Sequence, residues 1–191
     1  MTTHSLEPNP NGRPAGAEAA IAKDGAQTLI RNGRVETDDS VMLGDDEALP
    51  ASGRAIVSLA RWQAERDTLA AAAPKVGVLL PNTADLAEVW PSIADRDLLC
   101  LSFPAFGDGR AYSQARSLRE RYGYAGELRA TGAAVVVDQA AELLRCGFDA
   151  FALRADQNAE RFIERLHTTK TRHWYQLPAI ANPVFALRRR G

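Results

Sequence analysis

The sequence predicts an α/β fold: repeated βα units around a small parallel sheet, open or a partial barrel, with an N-terminal β-hairpin. Three observations predict it. Apolar runs at 76–80 and 98–103 are continuous rather than alternating, as in strands buried on both faces. Amphipathic segments at helical spacing separate them. Near the start, Asn32-Gly33 stands between two short alternating runs.

The hairpin follows from turn chemistry. Thr28-Leu29-Ile30-Arg31 and Arg34-Val35-Glu36-Thr37 flank Asn32-Gly33, and a type I′ turn needs positive φ at both central positions. Residues 38–53 read as an acidic loop, with Val41, Met42 and Leu43 as a short buried stretch. From Ile56 the rhythm becomes helical: Leu59, Trp62, Leu69 and Ala70 fit one face, ending before Pro74. Pro81 closes the strand 76–80, and Thr83 is placed to cap a helix carrying Leu86, Val89 and Trp90. The strand 98–103 is closed by Pro104 and followed by a helix over about 110–122. A short strand at 127–130, a helix at about 134–145 stopped by Gly147, a strand at 148–153 and a helix at 157–167 complete the pattern. Four central strands are too few for a complete eight-stranded barrel.

One domain of 27–176 accounts for this pattern, between an N-terminal tail of 1–26 read as disordered and an irregular C-terminal tail of 177–191. The net charge of -1 gives no general attraction to nucleic acid or anionic lipid. The halves differ: 101–191 holds 14 Lys+Arg against 9 Asp+Glu, leaving 9 against 15 for 1–100. No run approaches the roughly 20 apolar residues of a membrane helix, and no signal-peptide stretch opens the chain, so a cytoplasmic address is expected.

Chemistry concentrates after the second apolar run. Phe103-Pro104-Ala105-Phe106-Gly107-Asp108-Gly109-Arg110 leads from a buried strand into a helix, where α/β sheets bind ligands. The glycines let backbone N–H groups approach an anion, and Asp108 suits a cap. Arg110 opposes the helix dipole by about 0.3–1 kcal/mol, so it needs an anionic partner: Asp108, another carboxylate, or a ligand. Tyr112, Ser113, Arg116 and Arg119 form a polar stripe beside an apolar face of Ala111, Ala115, Leu118 and Tyr122. Arg116 fits an oxyanion, or equally a surface pairing with Glu120, Glu127 or Asp138. Glu127 and Arg129 lie two apart on one side of a strand and need partners there; Asp138 with Arg129 or Arg116 is the favoured pair. Asp108, Gly109, Arg110, Tyr112, Ser113, Arg116, Arg129 and Asp138 are therefore the candidate residues for an anion or a partner; Asp108–Arg110 as a structural clamp is the plainer reading.

No catalytic residue is identified from the sequence, and no metal site or cofactor is expected. His4, His167 and His173 lie outside these blocks, and two cysteines, Cys100 and Cys146, fall short of an iron–sulfur set and read as buried hydrophobes. No dinucleotide or phosphate-loop fingerprint occurs.

Asp108-Gly109-Arg110, Tyr112-Ser113-Gln114-Ala115-Arg116, Leu118-Arg119-Glu120-Arg121, Gly126-Glu127-Leu128-Arg129-Ala130, Asp138-Gln139 and Arg145-Cys146-Gly147-Phe148-Asp149-Ala150-Phe151 resemble the signature of domain of unknown function 934. The resemblance spans about 27–176, with Asn32-Gly33-Arg34 and Tyr175-Gln176 toward its ends. It implies a bacterial protein commonly encoded beside sulfite reductase and often labelled a probable oxidoreductase of sulfite reduction; it carries no established catalytic residues. One departure is Ala133, where the pattern leads one to expect an acid after Gly132. The resulting expectation is an accessory protein of assimilatory sulfite reduction, without its own redox cofactor, contacting the reductase or its electron donor. The alternative is a small-molecule enzyme binding an anionic substrate at the junction 107–116, with Asp108 as acid–base and Arg110 and Arg116 as clamps.

Overall fold

The computed structural model describes residues 28–72 and 75–170. The two tails, Pro74, Tyr175, Gln176, His4 and His173 lie outside them. Strands β1 (Thr28–Arg31) and β2 (Arg34–Glu36) form the expected hairpin, with Asn32 at φ 54 and Gly33 at φ 75. There follow β3 (Ser40–Met42), β4 (Arg54–Ser58), helices α1 (Leu59–Ala64) and α2 (Arg66–Ala71), β5 (Lys75–Leu80), α3 (Leu86–Ile93) and β6 (Leu98–Phe103). Helix α4 (Arg110–Glu120), β7 (Glu127–Gly132), a 3-10 turn (Val137–Gln139), α5 (Ala140–Cys146), β8 (Ala150–Leu153) and α6 (Ala159–Lys170) complete the described chain.

The eight strands make one sheet in the order β2-β1-β8-β7-β6-β5-β4-β3. From β3 to β8 neighbours are parallel; β1 runs antiparallel to both β2 and β8. The sheet is therefore larger than the four central strands foreseen. Its two edge strands are consecutive in sequence, separated only by residues 37–39. Seven inter-strand steps of a flat sheet span roughly 34 Å, whereas Glu36 and Ser40, four residues apart, lie within about 14 Å. The sheet must roll on itself, and does: Arg129 on β7 donates to Ser40 Oγ at 2.7 Å, although β6, β5 and β4 stand between β7 and β3. This is the partial-barrel alternative of the sequence reading.

Alternation assigns each strand residue a face. Ala55, Val57, Val78, Leu80, Leu99, Leu101, Phe103, Leu128 and Phe151 point outward and form the main core with the helices. Ile56, Leu98 and Cys100 point inward, with Met42 and Leu79 against them. Gly77 also points inward, and a Cβ there would lie 2.7 Å from Leu98 Cδ2. The rolled interior has no room for a methyl at that position.

Several boundaries differ from expectation for local reasons. The helix expected from Ile56 starts at Leu59, because residues 54–58 pair with both β3 and β5. Ser58 caps it, its side chain accepting from the Arg61 N–H. A break at Glu65 divides α1 from α2, and Ala70 is exposed rather than facing the core. Asp85, not Thr83, caps α3 by accepting from the Ala87 N–H. The segment foreseen as one helix from 134 is extended at Val136, then a 3-10 turn, then α5; Gly147 at φ 103 does end it.

Gly77→Ala is expected to destabilise the fold by about 1–3 kcal/mol through overpacking against Leu98. Chemical denaturation of the two proteins measures the difference, and an unchanged midpoint would contradict the interior packing described here.

Candidate functional site

The β6–α4 loop is fixed at its base. Phe103 is 1% exposed, its ring tilted against Tyr112 at 4.9 Å and 5.8 Å from Phe148. Its carbonyl accepts the Ala133 N–H at 2.8 Å. Gly132, at φ 101, permits that approach: a Cβ there would sit 2.4 Å from the Phe103 oxygen. Beyond Phe103 the chain emerges at the carboxyl ends of the parallel strands. Residues 104–107 are exposed, and Phe106 keeps 55% of its surface in solvent.

The loop closes on a clamp. The Asp108 carboxylate accepts the Arg110 backbone N–H at 3.3 Å, Nε at 2.9 Å and Nη2 at 2.6 Å. Arg110 therefore finds its anionic partner two residues away, offsetting its unfavourable place in the first turn of α4. The guanidinium holds the Asp108 carboxyl well below the usual carboxylate range. Asp108 is ionised at neutral pH and already occupies the N-terminus of α4, where an external anion would bind. Gln114 of α4 donates to Pro81 O at 3.0 Å and Ala84 O at 3.2 Å, drawing the β5–α3 loop alongside. From that loop the buried Asn82 amide leans toward Asp108 and helps depress its pKa. Its Nδ2 reaches no acceptor in hydrogen-bond geometry among the described residues.

The remaining candidates separate. Tyr112 donates to Gln139 Oε1 at 3.2 Å, and burial pushes its phenol up to about 12. Ser113 is exposed beside Arg110, one helical turn along. Arg116 pairs with Glu120 at 2.9 Å, one of the surface pairings foreseen. Arg119 faces inward rather than along the stripe: its side chain, 6% exposed, donates to Tyr124 O, Gly126 O, Gly147 O and Asp149, and ties α4 to the starts of β7 and β8.

The favoured pairing of Asp138 with Arg129 or Arg116 does not form. Arg129 lies between the outward Leu128 and Ala130, so it points into the rolled interior; Asp138 is exposed on the 3-10 turn of the helix layer, across the sheet. Arg129, 2% exposed, donates to Glu127 at 2.8 Å, Asp38 at 2.9 Å and Ser40. Glu127 also receives Arg31 at 3.0 Å and Arg54 at 3.1 Å, and Arg31 reaches Glu36 at 2.7 Å. Ser40 bonds Asp38 in turn. Three arginines and three carboxylates thus form a balanced layer at the amino ends of the strands, opposite the β6–α4 loop. Arg31, Asp38, Ser40 and Arg54 were not singled out from sequence; the Glu127–Arg129 spacing was the only signal.

Residues 77–185, more than half of the chain, match the family described as Bacterial protein of unknown function (DUF934). The chain belongs to this family. No curated protein and no solved structure matches it. The matched range holds every candidate residue, from Asp108 to Asp138, while Asp38 and Ser40, which receive Arg129, and Arg31 and Arg54, which reach Glu127, precede it.

Other reactive groups of this DUF934 protein are muted. Burial pushes both the Cys100 and the Cys146 thiols up to about 12. Among the described residues no group of His, Cys, Asp and Glu is placed to hold a metal ion, and no helix is long and apolar enough to cross a membrane.

Two outcomes follow from this geometry. Arg129→Ala, which leaves Asp38 and Ser40 without their cation, is expected to lose ~3–5 kcal/mol, while Asp138→Ala stays within about 0.5 kcal/mol; denaturant titration distinguishes them, and equal midpoints would contradict the assignment. At pH 8 a thiol of pKa about 12 is roughly one part in ten thousand thiolate. Neither cysteine should react with an aromatic disulfide reagent until the protein unfolds, and rapid native-state labelling of either would refute this.

Proposed function

We propose that the protein is an accessory component of assimilatory sulfite reduction in the cytoplasm, acting by contact with sulfite reductase or its electron donor rather than by redox chemistry of its own. The pathway rests on the resemblance to proteins encoded beside sulfite reductase. The mode of action rests on one observation: Phe106, 55% exposed, projects from a loop whose base and far end are both fixed. An exposed aromatic beside an arginine is the composition that interfaces bury at their energetic centres. Arg110 is already neutralised by Asp108, so docking desolvates a formed pair rather than a lone charge. Positions 104–110 thereby serve as a preformed contact that loses little freedom on binding.

The enzyme alternative needs Asp108 to exchange a proton near neutrality. Its carboxyl is held ionised by Arg110, which disfavours that role. The buried Asn82 amide, which leans toward Asp108 without reaching hydrogen-bond geometry, favours a small ligand at this place instead of, or beneath, a protein partner. Such a ligand would have to accept the Asn82 donor beside an existing carboxylate, which favours a neutral or protonated species over a free oxyanion.

Co-purification with sulfite reductase or its electron donor tests the proposal. Phe106→Ala should leave stability within ~0.5 kcal/mol yet weaken association by about 2 kcal/mol, roughly 30-fold. A deletion strain should grow slowly on sulfate and normally on cysteine, with rescue by the parent chain but not by the Phe106 variant. Normal growth on sulfate together with no retained reductase or donor would overturn the reading.

A further inference from the structure

We propose that residues 171–185 of this chain dock across the outer faces of β2 and β3 and complete the layer that covers the rolled sheet. The layer is unfinished there. Helices α1 and α2 cover β4 and β5, α4 covers β6, and α6 packs on β1, but among the described residues no helix packs substantially on β2 or β3. Val35, in register with Ile30, and Val41, in register with Ala55, point to this outer side. They are 55% and 50% exposed, while Ile30 and Ala55 are fully buried. Apart from Phe106 they are the exposed large apolar side chains of the described residues. Both sit on edge strands, the part of a sheet that natural proteins ordinarily cover or charge.

The occupant is named by position, reach and chemistry. His167, in the last turn of α6, lies against the hairpin turn: a Cβ on Gly33 would be 3.5 Å from its Nε2. The chain thus leaves α6 two residues from Val35. Val41 lies eight residues past Gly33, at most about 29 Å away, and fifteen extended residues reach ~50 Å. Within 171–185 stand Trp174, Tyr175, Leu177, Ile180, Val184 and Phe185. The N-terminal residues 1–27 offer only Leu6 and Ile21 beyond the initiating methionine and alanines, and they enter β1 at Thr28, the end remote from the turn. The family match itself continues past α6 and stops at 185, before Arg188-Arg189-Arg190. The segment with the apolar side chains is therefore part of what defines the family, whereas the basic end is not.

Thiol labelling of the full chain tests this. Val35→Cys and Val41→Cys are made separately, with Thr68→Cys on exposed α2 as the reference. Cys100 and Cys146 are buried and give a slow background. The two edge cysteines should react with a maleimide about tenfold or more slower than the reference, because access limits the rate. Adding Trp174→Ala and Phe185→Ala in the same chain should restore most of that rate. Labelling as fast as the reference would overturn the proposal. So would protection that grows with protein concentration, which assigns the cover to a second copy, and protection unaltered by the two alanines, which assigns it to 1–27.

Discussion

The rolled sheet depends on Arg129. Its guanidinium leaves water almost completely, and a cation in that position is tolerable only when its donors are matched by anions and acceptors. Glu127 comes from its own strand, but Asp38 and Ser40 come from the other edge of the sheet, so the requirement is met only in the rolled state. Arg31 and Arg54 join Glu127 from β1 and β4, which spreads the same demand over the circumference. A buried ionic set adds little net stability relative to a well-packed apolar one. Its contribution here is register. Gly77 against Leu98 fixes the alignment of β5 with β6, and the carboxylates and arginines fix the alignment of the strands across the rolled sheet.

Legibility in the sequence followed the range of the interactions. The Asn32-Gly33 turn, the apolar runs that became β5, β6 and β8, and the Gly147 cap depend on neighbours in the chain, and each was readable. β3 and β4 were not. β3 is three residues long at an edge, and Ile56 and Val57 of β4 share their apolar character with the helix that follows. What makes them strands is pairing with each other and with β5. The same distinction divides the candidate residues. Asp108 and Arg110 are two apart and met as a pair, as the opposed helix dipole requires. The partner of Arg129 could not be read, because Asp38 lies 91 residues away and becomes a neighbour only when the sheet curls.

The two ends of the parallel strands carry different burdens. At the amino ends the charges of the Arg129 layer are buried or half-buried and paired with one another. At the carboxyl ends the loops are exposed, and Pro104, Gly107 and Gly109 leave the backbone open around Phe106. Stability and recognition can therefore be altered separately. Phe106 keeps most of its surface in solvent, whereas Phe103, three residues before it, is buried against Tyr112 and Phe148.

Ala133 shows how that separation works within one turn. An acid is expected after Gly132 from the resemblance, yet position 133 acts here through its main chain: its N–H holds Phe103 O at 2.8 Å, and its carbonyl accepts Arg154 Nη1 at 3.3 Å. Neither bond needs a side chain, so the loop base survives the departure. Arg154 meanwhile turns Nε and Nη2 to Asp156, at 3.0 and 2.8 Å. The acid facing Arg154 comes from the loop after β8, so the cation is satisfied without a carboxylate at 133. The geometry that presents Phe106 is accordingly a property of the backbone at 132–133, and the side chain at 133 is free to vary without disturbing it.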